Sequence, residues 1–318
     1  MVWRGPQEQR TAPTPLVLVT GGSGMVGRNI VRRLRDEGYR VRVFARRPDR
    51  LDLPEVERVP GDVQDPERLR PAMAGATAVV HTVAVIREGP GATYTGVNVL
   101  GTRNVLRAAQ EAGIRRFVHI GGVLSSTDPR YRYGYSKWLA EQAVQASALD
   151  WTILKPGMII GDRPSILNRI ERTLYLLPPL VALPGTGSSR CQPLWVGDLT
   201  AIVVQCLREP RHIRRIYEFG GPEYWTYRQL LEFIMRRQGV RRILVPVPQP
   251  LMLLGARLLA ALSRDPQVTP VEMQQLFMDN IAARDAVERY FGFRPGRLED
   301  HCPEIRGGYE RTPVSHAH

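Results

Sequence analysis

A doubly wound α/β fold, with a parallel sheet covered by helices on both faces, is what this 318-residue chain predicts. Two observations carry that prediction. Short apolar runs alternate with stretches of helix-crossover length through the first half of the chain. In addition, Thr20-Gly21-Gly22-Ser23-Gly24-Met25-Val26-Gly27 sets glycines at GxxGxxG spacing directly between the first strand and the first helix.

The elements follow in order. Leu16–Thr20 is a continuous apolar run, hence a strand buried on both faces, and the periodicity then predicts a helix over 25–37. Strands are predicted at Arg40–Ala45, 56–60 and 78–85, a long helix over 95–112, and a strand at Arg116–Ile120. A helix over 133–148 and a strand at 151–154 complete the first half. Beyond it, proline and glycine break the pattern over 178–187. A strand at 191–196 leads into a helix over 198–208, and a further strand is predicted at 216–219. Helices are predicted over 226–238, capped by Thr226, and, after an interruption at Pro246–Pro250, over 251–262 and 269–278. The organisation expected is a dinucleotide-binding domain at 15–160, its sheet completed by parts of 190–220. A smaller, mostly helical lobe follows at 161–306, with flexible tails at 1–14 and 307–318.

The glycine loop carries the first functional reading. Gly21 permits a tight turn, Gly24 lets backbone approach a pyrophosphate, and Gly27 lets helix and strand pack closely. Gly22, Ser23, Met25 and Val26 complete the loop and the helix N-terminus, whose N–H groups and dipole favour phosphate. This is the Rossmann arrangement. The second strand ends in Arg46-Arg47, with no acid from Arg40 to Pro48, which favours a 2′-phosphate and hence NADP(H), with NAD(H) the alternative. Asp62, followed by Val63, is placed either to reach the adenine or to start a turn.

Forty-two of the 44 basic residues are arginines; the lysines are Lys137 and Lys155 alone. Lys137 lies four residues after Tyr133, so on a helix the two share a face. An ammonium there is expected to lower the phenol's pKa. Tyr135, two residues from the lysine, points elsewhere.

The net charge of +13 is spread along the chain without a long basic run, so solvated faces explain it better than nucleic acid. Three dispersed cysteines, Cys191, Cys206 and Cys302, fit neither a disulfide framework nor a metal site, which points to a reducing, cytoplasmic setting. The N-terminal stretch lacks an apolar core and is not read as a signal peptide. No run of eighteen apolar residues occurs. The 251–262 helix, apolar except for Arg257, is expected to be buried, the other reading being contact with a lipid-like ligand or a membrane.

TGGSGMVG, GDV, HTVAV, YGYSK, DWTILKPG and PLWVGDL together resemble the landmarks of the extended and atypical short-chain dehydrogenase/reductases. YEFGGPEYWTYRQLLEFI and LVPVPQPLMLLGARLLA resemble the branch holding the 39-kDa accessory subunit of respiratory complex I and its bacterial relatives. The resemblance spans about residues 15–300. It implies Tyr133 as general acid/base and Lys137 as the residue that holds the nicotinamide ribose. Thr82, Val83 and Ala84 would line the cofactor, and Pro156 and Gly157, after Lys155, would flank the nicotinamide. Asn98 would support the site from the long helix. One departure stands out. Active relatives carry a serine or threonine just after the fifth strand, which bonds the substrate carbonyl; here that place holds Gly121 and Gly122, and the catalytic role falls to Ser125, or to Ser126, if the loop folds back.

Two functions remain open on the sequence. One is an oxidoreductase on a carbonyl or alcohol, isoprenoid or quinone-like, with Trp225, Tyr227 and the 251–262 helix shaping its substrate site. The other is a non-catalytic cofactor-binding subunit or redox sensor, partnered by a membrane surface or a respiratory-type complex at the inner membrane face.

Overall fold

In the computed structural model, residues 14–161, 166–175, 178–262 and 269–301 are described. Both expected tails, but for residue 14 of the first, lie outside them, as does Cys302. The strands β1 (Leu16–Thr20), β2 (Arg40–Ala45), β3 (Glu57–Pro60), β4 (Ala78–His81), β5 (Arg116–Ile120) and β6 (Asp150–Pro156) belong to one parallel sheet. Short strands β7 (Ile159–Ile160), β8 (Leu180–Pro184), β9 (Arg190–Cys191) and β10 (Leu194–Trp195) intervene. Then β11 (Arg215–Phe219) pairs with β6, giving a seven-stranded sheet in the order β11-β6-β5-β4-β1-β2-β3. Strand order reverses between β1 and β4, which opens a crevice at their C-terminal ends.

Helices cover both faces. On one side α1 (Met25–Asp36), α6 (Val196–Arg208) and α10 (Ala286–Phe291) set Ile30, Leu34, Ile202 and Phe291 on Val17, Val19 and Val43. On the other, α2 (Pro66–Met73), α3 (Thr102–Glu111) and α4 (Arg132–Gln145) set Leu69, Met73, Val105 and Val144 on Leu18, Phe44 and Phe117. Helix α1 buries its apolar stripe and places Arg33 and Arg35 in its last turn, where the dipole favours cations. The sequence reading passed over α2, yet its signals are local: Pro66 fills the first turn and Asp65 accepts from the Glu67 and Arg68 amides.

Two boundaries differ from expectation. Strand β4 ends at His81 instead of 85, because the Asn98 side chain captures Val85, accepting from its amide at 2.8 Å and donating to its carbonyl. The helix expected over 95–112 is π-helical at Tyr94–Gly101 before becoming α3. π-helical turns recur where a helix is bent to serve a site.

The second half has its own core, in which Leu167 and Ile170 of α5 (Ile166–Thr173) meet Val181 and Leu183 of β8. Tyr227, Leu230, Leu231 and Ile234 of α7 (Tyr227–Gln238) close it. Thr226 caps α7 through a reciprocal capping box with Gln229. The lobe holds more β-structure than the sequence indicates. The pairs are β7 with β10, β9 with β12 (Trp225–Thr226), and β8 with β13 (Ile243–Val247). Proline hid the last pair, but Pro246 sits on a strand with a partner on one side only, where a missing N–H costs little. Helices α8 (Gln249–Leu262) and α9 (Pro270–Gln275) pack on one another. Contrary to the expected burial of α8, its Leu251, Leu254 and Leu258 are more than half exposed, at 60%, 51% and 57%. Among the described residues, no helix is long and apolar enough to cross a membrane.

Candidate cofactor and active site

The glycine loop is built so that no side chain fits. Gly21 has φ +78° and donates to the Phe44 carbonyl at 2.8 Å. A Cβ on Gly27 would lie 2.2 Å from the Gly21 carbonyl oxygen and 2.7 Å from Gly22 Cα. One on Gly22 would lie 2.8 Å from both Val43 methyls. Gly24 is the N-cap of α1 and offers no side-chain cap, so the first amides of the helix, around Met25 and Val26, face the loop. Arg28 reaches back to the Ser23 and Gly24 carbonyls. This cradle fits a pyrophosphate: close backbone, a helix N-terminus and a nearby cation.

Around the cradle, Arg46 and Arg47 are exposed at the end of β2. Asp62 accepts from the Gln64 amide through Oδ1 at 2.9 Å, as a turn residue does, while Val63 is buried. The Thr82 hydroxyl donates to the Thr20 carbonyl at 2.8 Å, beside Gly21, and Val83 and Ala84 continue half-buried along the crevice. Pro156 and Gly157 close its far side at the end of β6, where Gly157 donates to the Phe219 carbonyl.

A buried polar chain joins this crevice to α4. Thr20 Oγ1 is hydrogen-bonded to His81 Nδ1 at 2.6 Å, and His81 Nε2 to Thr102 Oγ1 at 3.0 Å. Thr102 spends its own proton on the Asn98 carbonyl at 2.6 Å, so His81 must donate from Nε2 and accept at Nδ1. The Asn98 amide donates to Ser136 Oγ at 2.9 Å, which donates to the Tyr133 carbonyl at 2.7 Å. One turn along α4, Lys137 is buried and donates to the Ile120 carbonyl at 2.8 Å, its pKa pushed down by burial to about 8. Tyr133 packs edge-on against Tyr94, with ring centroids 5.9 Å apart. It lines a narrow cleft with Leu124, Val271, Gln274, Gln275 and Met278, so α9 and the residues after it face the tyrosine. Tyr135 stacks on Trp138 instead.

A family model described as NAD(P)H-binding matches residues 21–173. The chain is 43% identical to a 3 beta-hydroxysteroid dehydrogenase/Delta 5-->4-isomerase of Mycobacterium tuberculosis over 318 aligned residues, covering 88% of this chain and 86% of that one. It belongs to the short-chain dehydrogenase/reductases, a superfamily of NAD(P)-dependent oxidoreductases. The complex I branch is also represented, by the NADH dehydrogenase [ubiquinone] 1 alpha subcomplex subunit 9 of Arabidopsis thaliana. That protein is 28% identical, with 72% of this chain and 60% of its own length covered. A short-chain dehydrogenase/reductase structure from Agrobacterium tumefaciens with bound NAD shares the fold, with TM-score 0.69, 23% identity and coverage of 92% and 97%.

As a short-chain dehydrogenase/reductase the chain departs from three expectations. The Ser125 hydroxyl donates to the buried Glu141 carboxylate, and is not held toward Tyr133. Glycine follows β5 because a Cβ on Gly121 would lie 2.6 Å from that same carboxylate. Second, Tyr133 is not acidified: burial, with Tyr94 and Glu141 adding to it, pushes its hydroxyl up to about 12. Lys137 spends its ammonium on a backbone carbonyl, which leaves the phenol without that partner. Third, Trp225 lines a separate cavity of about 430 Å³ with Glu223, Arg236, Arg284 and Arg297, and Tyr227 sits in the lobe core. Neither borders the tyrosine cleft.

Sequence reasoning also missed residues. Glu141, four after Lys137, is held between Ser125 and Lys155, whose ammonium lies 3.6 Å from it and 2.6 Å from Glu218. The i+4 spacing from the lysine was its available signal. The Gln275 amide nitrogen is buried, on a residue of the cleft wall, with no hydrogen-bond partner among the described residues, a donor no motif announces.

His119 stacks on His81 with centroids 5.4 Å apart, and neither of its ring nitrogens has a partner among the described residues. Burial, reinforced by Lys137, lowers His81 to about 3 and His119 well below the usual value. The folded state therefore binds fewer protons than the unfolded one below pH 6.5, the reference value. The stability these neutral rings contribute is present above that pH and is lost as pH falls toward the folded values. Urea unfolding should show a loss of roughly 2 kcal/mol per ring between pH 6.5 and about pH 5. His119→Phe should remove about half of that slope.

Proposed function

We propose that this chain is an NADP(H)-dependent dehydrogenase acting on the secondary hydroxyl, or the corresponding ketone, of a sterol-like lipid. The observation that carries the reading is Tyr133 at a narrow, largely apolar cleft, with Lys137 buried one turn behind it on α4. The 43% identical relative named a hydroxysteroid dehydrogenase points to the substrate class. Bound nicotinamide supplies or accepts the hydride. In oxidation Tyr133 removes the hydroxyl proton as the carbon's hydride leaves and the carbonyl forms; in reduction it returns that proton. A phenol with a pKa near 12 needs its anion stabilised, and Lys137, turning from the Ile120 carbonyl, is the nearby cation for that task. Gln275 offers a donor to the substrate oxygen, in the place of the serine that the glycines after β5 displace.

Arg46 and Arg47 support NADP(H): they are exposed at the β2 terminus, with no carboxylate from Arg40 to Pro48. Replacing both by alanine should weaken NADPH about 10- to 100-fold in fluorescence titration and leave NADH nearly unchanged. Equal losses for the two cofactors would remove the 2′-phosphate assignment.

The reaction is tested by incubating the protein with NADP+ or NAD+ and a panel of 3-hydroxysterols and smaller alcohols, reading reduced cofactor by absorbance. Tyr133-dependent turnover of a sterol supports the proposal. Tight cofactor binding without any such turnover favours the second reading, a non-catalytic subunit of a larger assembly. Ser125, tied to Glu141, and the likeness to a complex I subunit are what recommend it.

A further inference from the structure

We infer that the face formed by α8 and the β8–β13 pair docks on an anionic phospholipid membrane. The leucines of α8 recur at i, i+3 and i+7, and all three point into solvent: Leu251, Leu254 and Leu258. The adjoining lobe adds Leu180 at 47%, Ile243 at 60% and Val245 at 37% exposure. In the parallel register of β8 and β13, Leu180 is directly opposite Ile243. Scattered exposed leucines are unremarkable, but three on one stripe of α8 and three on the two-stranded sheet that leads into it leave six large apolar side chains uncovered.

Charge decides what covers it. From Phe233 to Leu262 the chain carries five arginines and no aspartate or glutamate. Arg241 and Arg257 are exposed and form no ion pair among the described residues. Arg242, half-buried, lies over the Tyr175 ring at 5.5 Å and donates to the Leu174 and Arg241 carbonyls. Several exposed arginines elsewhere are matched by carboxylates, as Arg40 with Glu57 and Arg190 with Asp279. A surface combining an exposed leucine stripe with the unpaired Arg241 and Arg257, on a stretch of chain free of acids from 233 to 262, suits the interface of an anionic bilayer. Helix α8 is 14 residues long, so it lies in the interface and does not span.

The placement has a bearing on the site. Helix α8 packs on α9, and α9 with its following residues walls the Tyr133 cleft. Only one helix therefore separates the docking face from the tyrosine. The docking itself does not rest on the sterol reading, and its test uses no turnover.

The full chain is mixed with vesicles of phosphatidylglycerol and phosphatidylcholine, or of phosphatidylcholine alone, and pelleted. Binding to the anionic vesicles, weakened by salt and absent from the neutral ones, is expected. Leu254→Glu with Leu258→Glu should cut the partition coefficient on the order of 100-fold, at roughly tenfold per leucine. Arg241→Gln with Arg257→Gln should lower it about tenfold without touching the leucines. Circular dichroism and NADPH binding confirm folding of each variant. Absence of binding, or binding that both double variants retain, overturns the inference. So does a dimer in sedimentation velocity that the leucine variant splits while vesicle partition stays unchanged, which would assign the face to a second copy.

Discussion

Tyr133→Phe should lower kcat by about 10²- to 10⁴-fold, the range lost when a positioned proton donor is removed. Cofactor affinity should stay within about twofold, because the glycine cradle owes nothing to the phenol, and phenylalanine keeps the edge-on contact with Tyr94. The pH profile adds a signature. With the hydroxyl at about 12 and Lys137 at about 8, oxidation should gain rate as pH rises, since deprotonating the tyrosine becomes easier. It should then level or fall once Lys137 loses its proton. Stopped-flow and steady-state assays over that range would report both limbs. Unchanged turnover in Tyr133→Phe would leave the tyrosine without a catalytic role and return the chain to the cofactor-binding reading.

Gly27→Ala should cost about 1–3 kcal/mol of stability and weaken NADPH by at least roughly tenfold. The clash is between backbone and backbone: the new Cβ would meet the Gly21 carbonyl at 2.2 Å and Gly22 Cα at 2.7 Å, so no rotamer change relieves it. Helix α1 must move off β1, and the first-turn amides move with it, away from the phosphate position. Gly122→Ala is the matched control, since nothing lies within 4 Å of its added methyl group. Denaturant midpoints and cofactor titrations of the pair separate a packing demand at Gly27 from a general intolerance of side chains in loops. Should the two behave alike, the close helix–strand approach is not what the glycine provides.

Much of this was legible in the amino-acid order, for identifiable reasons. The strands β1, β4, β5 and β6 carry short apolar runs whose burial on both faces leaves little choice of residue, and the glycine loop is dictated by local sterics. Tyr133 and Lys137 are four apart on one helix, so their pairing needs no tertiary information. What escaped depends on contacts remote in sequence. Gln275 meets the tyrosine cleft only because α9, far along the chain from α4, folds back to line it. Glu141 binds Ser125 and Lys155 from three separate elements. The exposure of α8 was misjudged since an apolar composition states what a helix prefers to touch, not whether its own chain supplies the cover. Pro246 likewise read as a break, when its strand has a free side to spare.

The last strand of the sheet limits how the gene can be cut. β11 is reached only after the chain has passed through β7 to β10 and α6, yet it completes the ladder of β6 over Thr152–Pro156. A fragment stopped near residue 160 would retain every glycine of the cradle and both Tyr133 and Lys137, but its β6 would present Ile153 and Leu154 along an unpaired edge, inviting self-association. Lobes can therefore be exchanged between relatives only by a crossover placed after Phe219, or by transplanting β11 with its host sheet. Recombination at the apparent midpoint of the sequence would sever a structure whose own continuity runs sixty residues further.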